Sequence, residues 1–397
     1  MSLPMQDLTV IDLSQIYNGP YATFLMALAG ARVVKIEPPG GESLRRRGEV
    51  GGAALPFAML NGCKESLVLD LKSEDGQAAL FALASTADVL VENFAPGVMD
   101  RLGLGAERLM ASNPRLIYAS SSGYGRDGPY KAYPAMDLTM QAMGGIMHTT
   151  GYPEMPPVKA GPALADFFAG THLYGAIATA LFERERTGIA RRLEVAMQDA
   201  VYASLSSSLG LHWANSGSDV PPRTGNRHGG LAEAPYNVYP TQDGYIAIIC
   251  VGEQHWRGLA GAMDQPELPE IERFQSLRSR VANIDEIDAI VGAWTAGLPT
   301  AELFARLMEA RVPCAPVRTL DEVVNDPNMH SRGSLEWQDH PEFGRLVVMH
   351  SPMRYDGATR RPLEPSRTLG ADSRSVLAEL ENFDPARIER MVAAVTR

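Results

Sequence analysis

The chain has 397 residues, enough for two domains and a large core. Its 45% hydrophobic and 21% charged residues are ordinary for a soluble globular protein. The formal net charge of −11 argues against general affinity for nucleic acid or an anionic membrane surface, though not against a local basic pocket. Cys63, Cys250 and Cys314 are odd in number and far apart. They offer no disulfide framework and no metal-spaced pair, and they fit a reducing cytosol. The opening "MSLPMQDLTVIDLS" lacks a basic region followed by an apolar core, so no signal peptide is expected. No stretch approaches the ~18 apolar residues of a membrane helix. The expectation is a cytoplasmic protein.

In chain order, "LTVIDL" (8–13) predicts a buried strand, "GPYATFLMALAG" (19–30) a helix ended by Gly30, and "ARVVKIE" (31–37) a second strand. The pattern recurs with strand 65–71, helix 73–87, strand 88–94, helix 98–113 and strand 115–125. Such alternation predicts a doubly wound, Rossmann-like α/β domain with ligands at the carboxyl ends of its strands. Residues 166–187 predict a long helix, and 191–210 a strand followed by another helix. Residues 215–235 turn rich in Gly, Pro and Ser and read as a linker and functional loop. "YNVYPTQDGYIAIIC" (236–250) predicts a hairpin around Asp243-Gly244. Helical patterns follow to about 310, then "VPCAPVRTL" and "RLVVMHSP" as short strands. A smaller α+β domain is expected over 226–330, with a helical tail that packs back on the first.

Several constellations compete for the chemistry. "GYGRDG" (123–128) matches G-x-G-x-x-G after a strand, but no apolar-periodic helix follows to hold a pyrophosphate. The eight histidines include no His-x-x-x-His pair, so no metal site is expected. No G-x-S-x-G elbow supports a serine hydrolase. Arg45, Arg46 and Arg47 sit in the loop after a strand, and Lys72 and Arg101 follow later strands. That many cations at one sheet edge either form a solvated face or suit a polyanion such as a nucleotide phosphate tail. In "GPALADFFAG" (161–170), Asp166 stands where a helix starts, with no basic neighbour within five positions. It reads as an N-cap, as a nucleophile, or as both. A helix N-terminus would keep the carboxylate ionised, and small Ala169 and Gly170 would let a substrate approach.

Six stretches together resemble the class III coenzyme A-transferase family, also called the formyl-CoA transferase or CaiB/BaiF family: "VIDLSQIYNGPYATFLMALAGARVVKIEPPGG" (10–41), "KESLVLDLKSEDG" (64–76), "DVLVENFAPGVMDRLGL" (88–104), "RLIYASSSGYGRDGPY" (115–130), "PALADFFAGTHLYGAIATAL" (162–181) and "VPCAPVRTLDEVVNDP" (312–327). The resemblance implies a large CoA-binding domain over 1–200 completed by about 370–397. It also implies linkers at 201–225 and 331–369, and a homodimer of interlocked rings. It puts Asp166 on the catalytic aspartate, which attacks an acyl-CoA to give an aspartyl anhydride and then an aspartyl-CoA thioester. Lys72, Asn93, Phe94, Arg101 and Tyr124 fall on positions that touch coenzyme A, and Asn18 lies near the thioester end. Gln15 and Tyr17 fall in the acyl pocket, and Gly229 and Gly230 on a loop that closes over the site. No permanent cofactor is implied: acyl-CoA and a small carboxylate are the substrates.

Formyl-CoA members carry His and Gln where this chain has Gln15 and Tyr17, and Lys where it has Ser122. Neither formate nor oxalate is therefore expected, and succinyl-CoA with a dicarboxylate is the suggested pair. Racemases that share the fold use a His before an Asp and a Glu in the small-domain hairpin. Met136 and Pro240 stand at those positions and cannot move a proton at an α-carbon. A silent CoA-binding subunit of a heteromer is the remaining alternative.

Overall fold

Six strands form one sheet in the computed structural model, which describes residues 3–50, 55–217 and 220–395. They are β1 (Thr9–Asp12), β2 (Arg32–Glu37), β3 (Glu65–Val68), β4 (Val89–Glu92), β5 (Ile117–Ser122) and β6 (Arg192–Ala196), in the spatial order β3-β2-β1-β4-β5-β6. All five pairings are parallel. The order reverses between β1 and β4. That switch point is where an open sheet of this kind leaves a crevice beyond its strand ends.

The strands read as near-continuous apolar runs because both faces are covered. Three helices supply much of that cover: α1 (Asn18–Leu28), α2 (Glu74–Ala84) and α3 (Leu164–Thr187). Val10, Val33, Val89, Val91, Ile117 and Ala119 pack with Phe24 and Met26 of α1 and Leu173 and Ile177 of α3. Ile11, Val34, Ile36, Leu67 and Leu90 point the other way, toward Leu80 and Leu83 of α2 and Val376, Leu377 and Val392 near the C-terminus. Successive residues of each strand thus serve opposite layers.

The outer edge of β3 is covered by residues 364–373. Asp372 accepts the Ser66 N–H at 2.8 Å, and its own N–H donates to the Ser66 carbonyl at 3.0 Å. The Cys63 N–H donates to the Glu364 carbonyl, and the Val68 N–H to Ser373 Oγ. Bidentate Arg32 joins Glu65 to Glu379 on the same side.

The chain forms two compact units. The first takes three segments: up to Met140, Pro162–Val201, and Val324 onward. The second takes Gln141–Gly161 and Tyr202–Val323. Its sheet is the antiparallel trio β7 (Tyr236–Pro240), β8 (Tyr245–Ile249) and β9 (Cys314–Pro316), packed on Trp256, Leu259, Phe274, Ile287, Val291 and Leu303. The hairpin around Asp243-Gly244 is as predicted. A separate antiparallel pair, β10 (Leu335–His340) with β11 (Gly344–Met349), belongs to the first unit.

Other expectations need correction. The single helix over 98–113 is two, Val98–Arg101 and Ala106–Ser112, parted by Gly103 at φ +69°. The helix over the end of 191–210 is likewise broken, into Met197–Tyr202 and Ser206–Ala214. The tail is also two helices, the second opening at Pro385, where proline is tolerated. Strand β10 is absent from the sequence-based expectation because "LEWQDH" has no apolar run. No helix among the described residues is long and apolar enough to cross a membrane.

α1 crosses α3 closely. A Cβ added at Gly170 would lie 2.5 Å from the Asn18 carbonyl oxygen, whereas one added at Gly175, five residues on, would meet nothing within 4 Å. Two substitutions of the same kind in one helix should therefore have opposite signs. Gly170→Ala is expected to lower stability by about 1–3 kcal/mol through overpacking. Gly175→Ala should raise it by about 0.5–1 kcal/mol through helix propensity. Urea unfolding of both variants checks this, and equal effects would contradict the packing described.

Candidate active site

The carboxyl ends of β1 and β4 bring the first predicted residues together. The Gln15 N–H donates to Asn93 Oδ1 at 2.8 Å, and Asn93 Nδ2 donates to the Gln15 carbonyl at 2.8 Å and to Asn18 Oδ1 at 2.9 Å. One asparagine after β4 thus grips the loop after β1 across the switch point. Asn18 opens α1 and is buried.

Asp166 lies beside it, on the α1–α3 face, with only 7% of its surface exposed. It is not the N-cap of α3. The helix begins at Leu164 after Ala163, which supplies no side-chain cap. The cap comes instead from Asp137, whose Oδ1 accepts the N–H of Ala165 at 2.9 Å and of Asp166 at 3.4 Å. Burial pushes the Asp166 carboxyl pKa up to about 7 and the Asp137 charge adds to the rise, while the backbone amide of Asn18 opposes it. Among the described residues no lysine or arginine contributes. So, contrary to the expectation from the sequence, the helix N-terminus does not hold this acid in the usual carboxylate range. Nor do Ala169 and Gly170 open space for a ligand: Ala169 is fully buried, and Gly170 admits the Asn18 carbonyl.

Tyr17 completes the cluster. Its ring stacks on Phe167 at 5.9 Å, and Arg47 reaches its hydroxyl at 3.3 Å. Tyr21 meets the edge of Phe167 at 5.1 Å. Gln15, Tyr17, Asn18, Asn93 and Asp166 are therefore neighbours in one unit. The arginine run does not act as a block of three free cations. Arg45 pairs with buried Glu37 at 2.8 Å and lies 3.9 Å over Phe57, Arg47 sits on Tyr17, and Arg46 is exposed.

The remaining predicted residues are more scattered. Lys72 and Arg101 are exposed beyond β3 and β4. Phe94 is half-buried and lines a cavity of about 290 Å³ with Tyr118, Ser120, Arg126 and Arg192. Its N–H donates at 2.9 Å to Glu92, a residue that sequence reading missed. Burial pushes the Glu92 pKa up to about 7, opposed by that N–H. Tyr124 meets Tyr130 and Tyr133 edge-on at 5.7 and 5.8 Å. After "GYGRDG" no helix starts until Asp137, as expected, so a pyrophosphate has no helix end there. Gly229 and Gly230 belong to the second unit, where they pack against Ser208 and Ser207. No group of three metal-ligating side chains occurs among the described residues.

Asp137 and Glu92 share a reason for being overlooked. Each accepts from backbone amides, Glu92 from Phe94 and Asp137 from Ala165 and Asp166, and bonds of that kind leave no side-chain pattern in the sequence. A signal existed for Glu92, an acid ending the apolar strand "VLVE", where a charge must find a partner.

The model of CoA-transferase family III matches residues 5–373. The chain is 39% identical to the acetyl-CoA:oxalate CoA-transferase of Acetobacter aceti, over 91% of this chain and 92% of that one. It is 36% identical to the succinyl-CoA:mesaconate CoA-transferase of Haloarcula marismortui, over 88% and 89%. A CAIB/BAIF family protein from Brucella suis superposes with a TM-score of 0.83 at 33% identity, covering 96% of this chain and all of the other. The chain belongs to CoA-transferase family III and is a CoA-transferase.

Proposed function

We propose that the enzyme moves coenzyme A between carboxylic acids with Asp166 as the covalent carrier. The observation that carries this is a buried carboxylate at the sheet's switch point that no cation among the described residues neutralises. A poorly solvated carboxylate is a strong nucleophile once ionised. One Asp166 oxygen attacks the thioester carbonyl. The C–S bond breaks, and the thiolate leaves with its electron pair, giving a mixed anhydride. The thiolate then attacks the Asp166 γ-carbon, expelling the donor acid and forming an aspartyl thioester. The acceptor carboxylate attacks that thioester and the sequence runs in reverse, restoring the free carboxylate. No proton is consumed and each bond broken is activated, so the protein's task is to position groups and exclude water.

Asn18 lies at the reacting end in this reading. Asn93 and Phe94 follow the pantetheine arm, with Tyr124 beside it, and Lys72 and Arg101 meet the phosphates. For the acids, we infer succinyl-CoA as donor and a dicarboxylate as acceptor. Relatives are named for oxalate as well as mesaconate and glutarate, so identity alone does not choose. The preference rests on Gln15, Tyr17 and Ser122, where the acyl pocket departs from the formyl-CoA pattern. Exposed Phe182, Trp213 and Leu320 support a second chain, as the interlocked dimer requires.

Mass spectrometry after incubation with acetyl-, formyl- and succinyl-CoA, with hydroxylamine trapping, should place a modification on the 161–170 peptide. Asp166→Ala should lose it, with transfer slowed at least about a thousandfold. A panel whose members bind but leave the wild type unmodified would sink the covalent reading. Light scattering should give a particle of about twice 43.0 kDa, and a monomer would rule out interlocked rings.

The raised pKa of Asp166 has two consequences. Transfer should increase from pH 6 to 8 with a midpoint near the Asp166 value of about 7, because only the ionised form attacks. Stability runs the other way. The folded state holds this proton up to about 7, whereas the unfolded chain releases it near 3.8. The Asp166 contribution therefore becomes less favourable as pH rises from about 4 to 7 and is constant above. The full penalty is on the order of 4 kcal/mol. Asp166→Asn should melt higher than wild type at pH 8, and the gap should shrink at pH 5; a gap that is constant with pH would contradict the buried charge.

A further inference from the structure

We propose that Glu42 and Lys35 are positioning residues for the transfer. They form a buried pair that holds the Ser14–Asn18 loop in the backbone form that turns the Asn18 amide toward Asp166. The inference rests on the reading of Asp166 as nucleophile.

The loop adopts a conformation its sequence disfavours. Ile16 has φ +67°, in the left-handed region that a β-branched residue rarely enters. Nothing local favours it, so the surroundings must impose it. They do so residue by residue. Lys35 Nζ donates to the Ser14 carbonyl at 2.5 Å. Asn93 holds both the N–H and the carbonyl of Gln15 at 2.8 Å. The Ile16 N–H donates to Glu42 Oε2 at 3.3 Å. Lys35 and Glu42 join the two ends of this clamp through a 3.3 Å ion pair whose side chains are 2% and 0% exposed. Tyr17 and Asn18 follow at once, Asn18 as the first residue of α1. A change of φ at residue 16 would swing the Asn18 amide away from the carboxylate.

The pair is a poor device for stability alone. Burying two charges is rarely more favourable than packing apolar side chains in their place. Glu42 Oε1 is also buried with no hydrogen-bond partner among the described residues. An orphaned oxygen of that kind calls for an explanation, and the work of Oε2 on the loop supplies one. The placement fits too. Lys35 stands opposite Asp12 in the β1–β2 register, on the sheet face that carries α1 and α3. The clamp is thus built into the layer that holds Asp166.

The test removes the clamp without stranding a charge. Lys35→Met/Glu42→Leu replaces both partners with apolar side chains of similar shape, a change that proteins often tolerate. The expected result is a folded protein whose kcat falls about ten- to a hundredfold, with the acyl-CoA KM within about twofold. Adding Ile16→Gly should restore part of kcat, because glycine enters the left-handed region freely. The conformational preference removed is equivalent to about a five- to thirtyfold population shift. A folded double variant with wild-type kcat would overturn the inference, as would a loss that Ile16→Gly leaves untouched. If the double variant does not fold, Glu42→Gln serves instead. It keeps an acceptor for the Ile16 N–H but drops the charge facing Lys35. A kcat fall of about threefold that Ile16→Gly recovers supports the clamp, and an unchanged kcat overturns it. Asp166→Ala, run in parallel, separates the two readings. If it still transfers coenzyme A, the nucleophile reading fails and takes the clamp with it. If it is inactive while Glu42 and Lys35 prove dispensable, only the clamp fails.

Discussion

A carboxylate kept out of water, with no cation beside it among the described residues, is the constraint around which the first unit is organised. Such a group is unfavourable in most protein interiors, where acids are paired or neutralised. Here Asp137 takes over the capping of α3 and leaves the Asp166 side chain unengaged by that task. Gly170 lets α1 come close enough for the Asn18 backbone to face the acid. The sheet's reversal between β1 and β4 puts both loops at one crevice. Each arrangement is ordinary alone. Together they keep the Asp166 carboxyl pKa at about 7 in a water-poor place, the setting that its proposed role as covalent carrier requires.

The charges around this centre fall into two classes. Those on the sheet's inner layer are matched one to one: Lys64 with Asp12 at 2.9 Å, Arg45 with Glu37, and Lys35 with Glu42. Lys64 also donates to the Pro20 carbonyl, Thr23 and Asn61, so its ammonium is fully hydrogen-bonded. Lys72, Arg101 and Arg46 lie outside and exposed. That division explains how an acidic protein of net charge −11 can take a polyanionic substrate. The inner cations are neutralised by their partners, and the outer ones stay exposed, as the proposed contacts to phosphates require.

What the sequence revealed depends on which interactions are local. The strands were legible because each is an apolar run between turn residues, and the parallel sheet followed from their alternation with helices. Helix 98–113 misled because its apolar spacing continues through "LGLG", while Gly103 breaks the backbone. Asp166 stood out because an acid among small apolar residues needs an explanation, yet its role as a cap was misjudged. The residue that caps α3, Asp137, lies 29 positions before Asp166. The arginine run misled for the same reason, since whether Arg45 is available depends on Glu37 and on Phe57 across the turn. Ile16 shows the limit plainly: nothing in "SQIYN" announces a left-handed isoleucine, because residues 35, 42 and 93 impose it.

The cover over β3 bears on how the protein is made. The segment that closes this strand's outer edge is 306 positions later in the chain than the residue it meets. Translation at the usual pace delivers it on the order of 15–60 s after β3 has left the ribosome. Through that interval β1, β2 and β3 can pair while the far side of β3 shows unpaired amides and carbonyls to any passing strand. Nascent chains crowded on one message are then each other's nearest hazard, and the sheet edge is the place where a holding chaperone would bind to most effect.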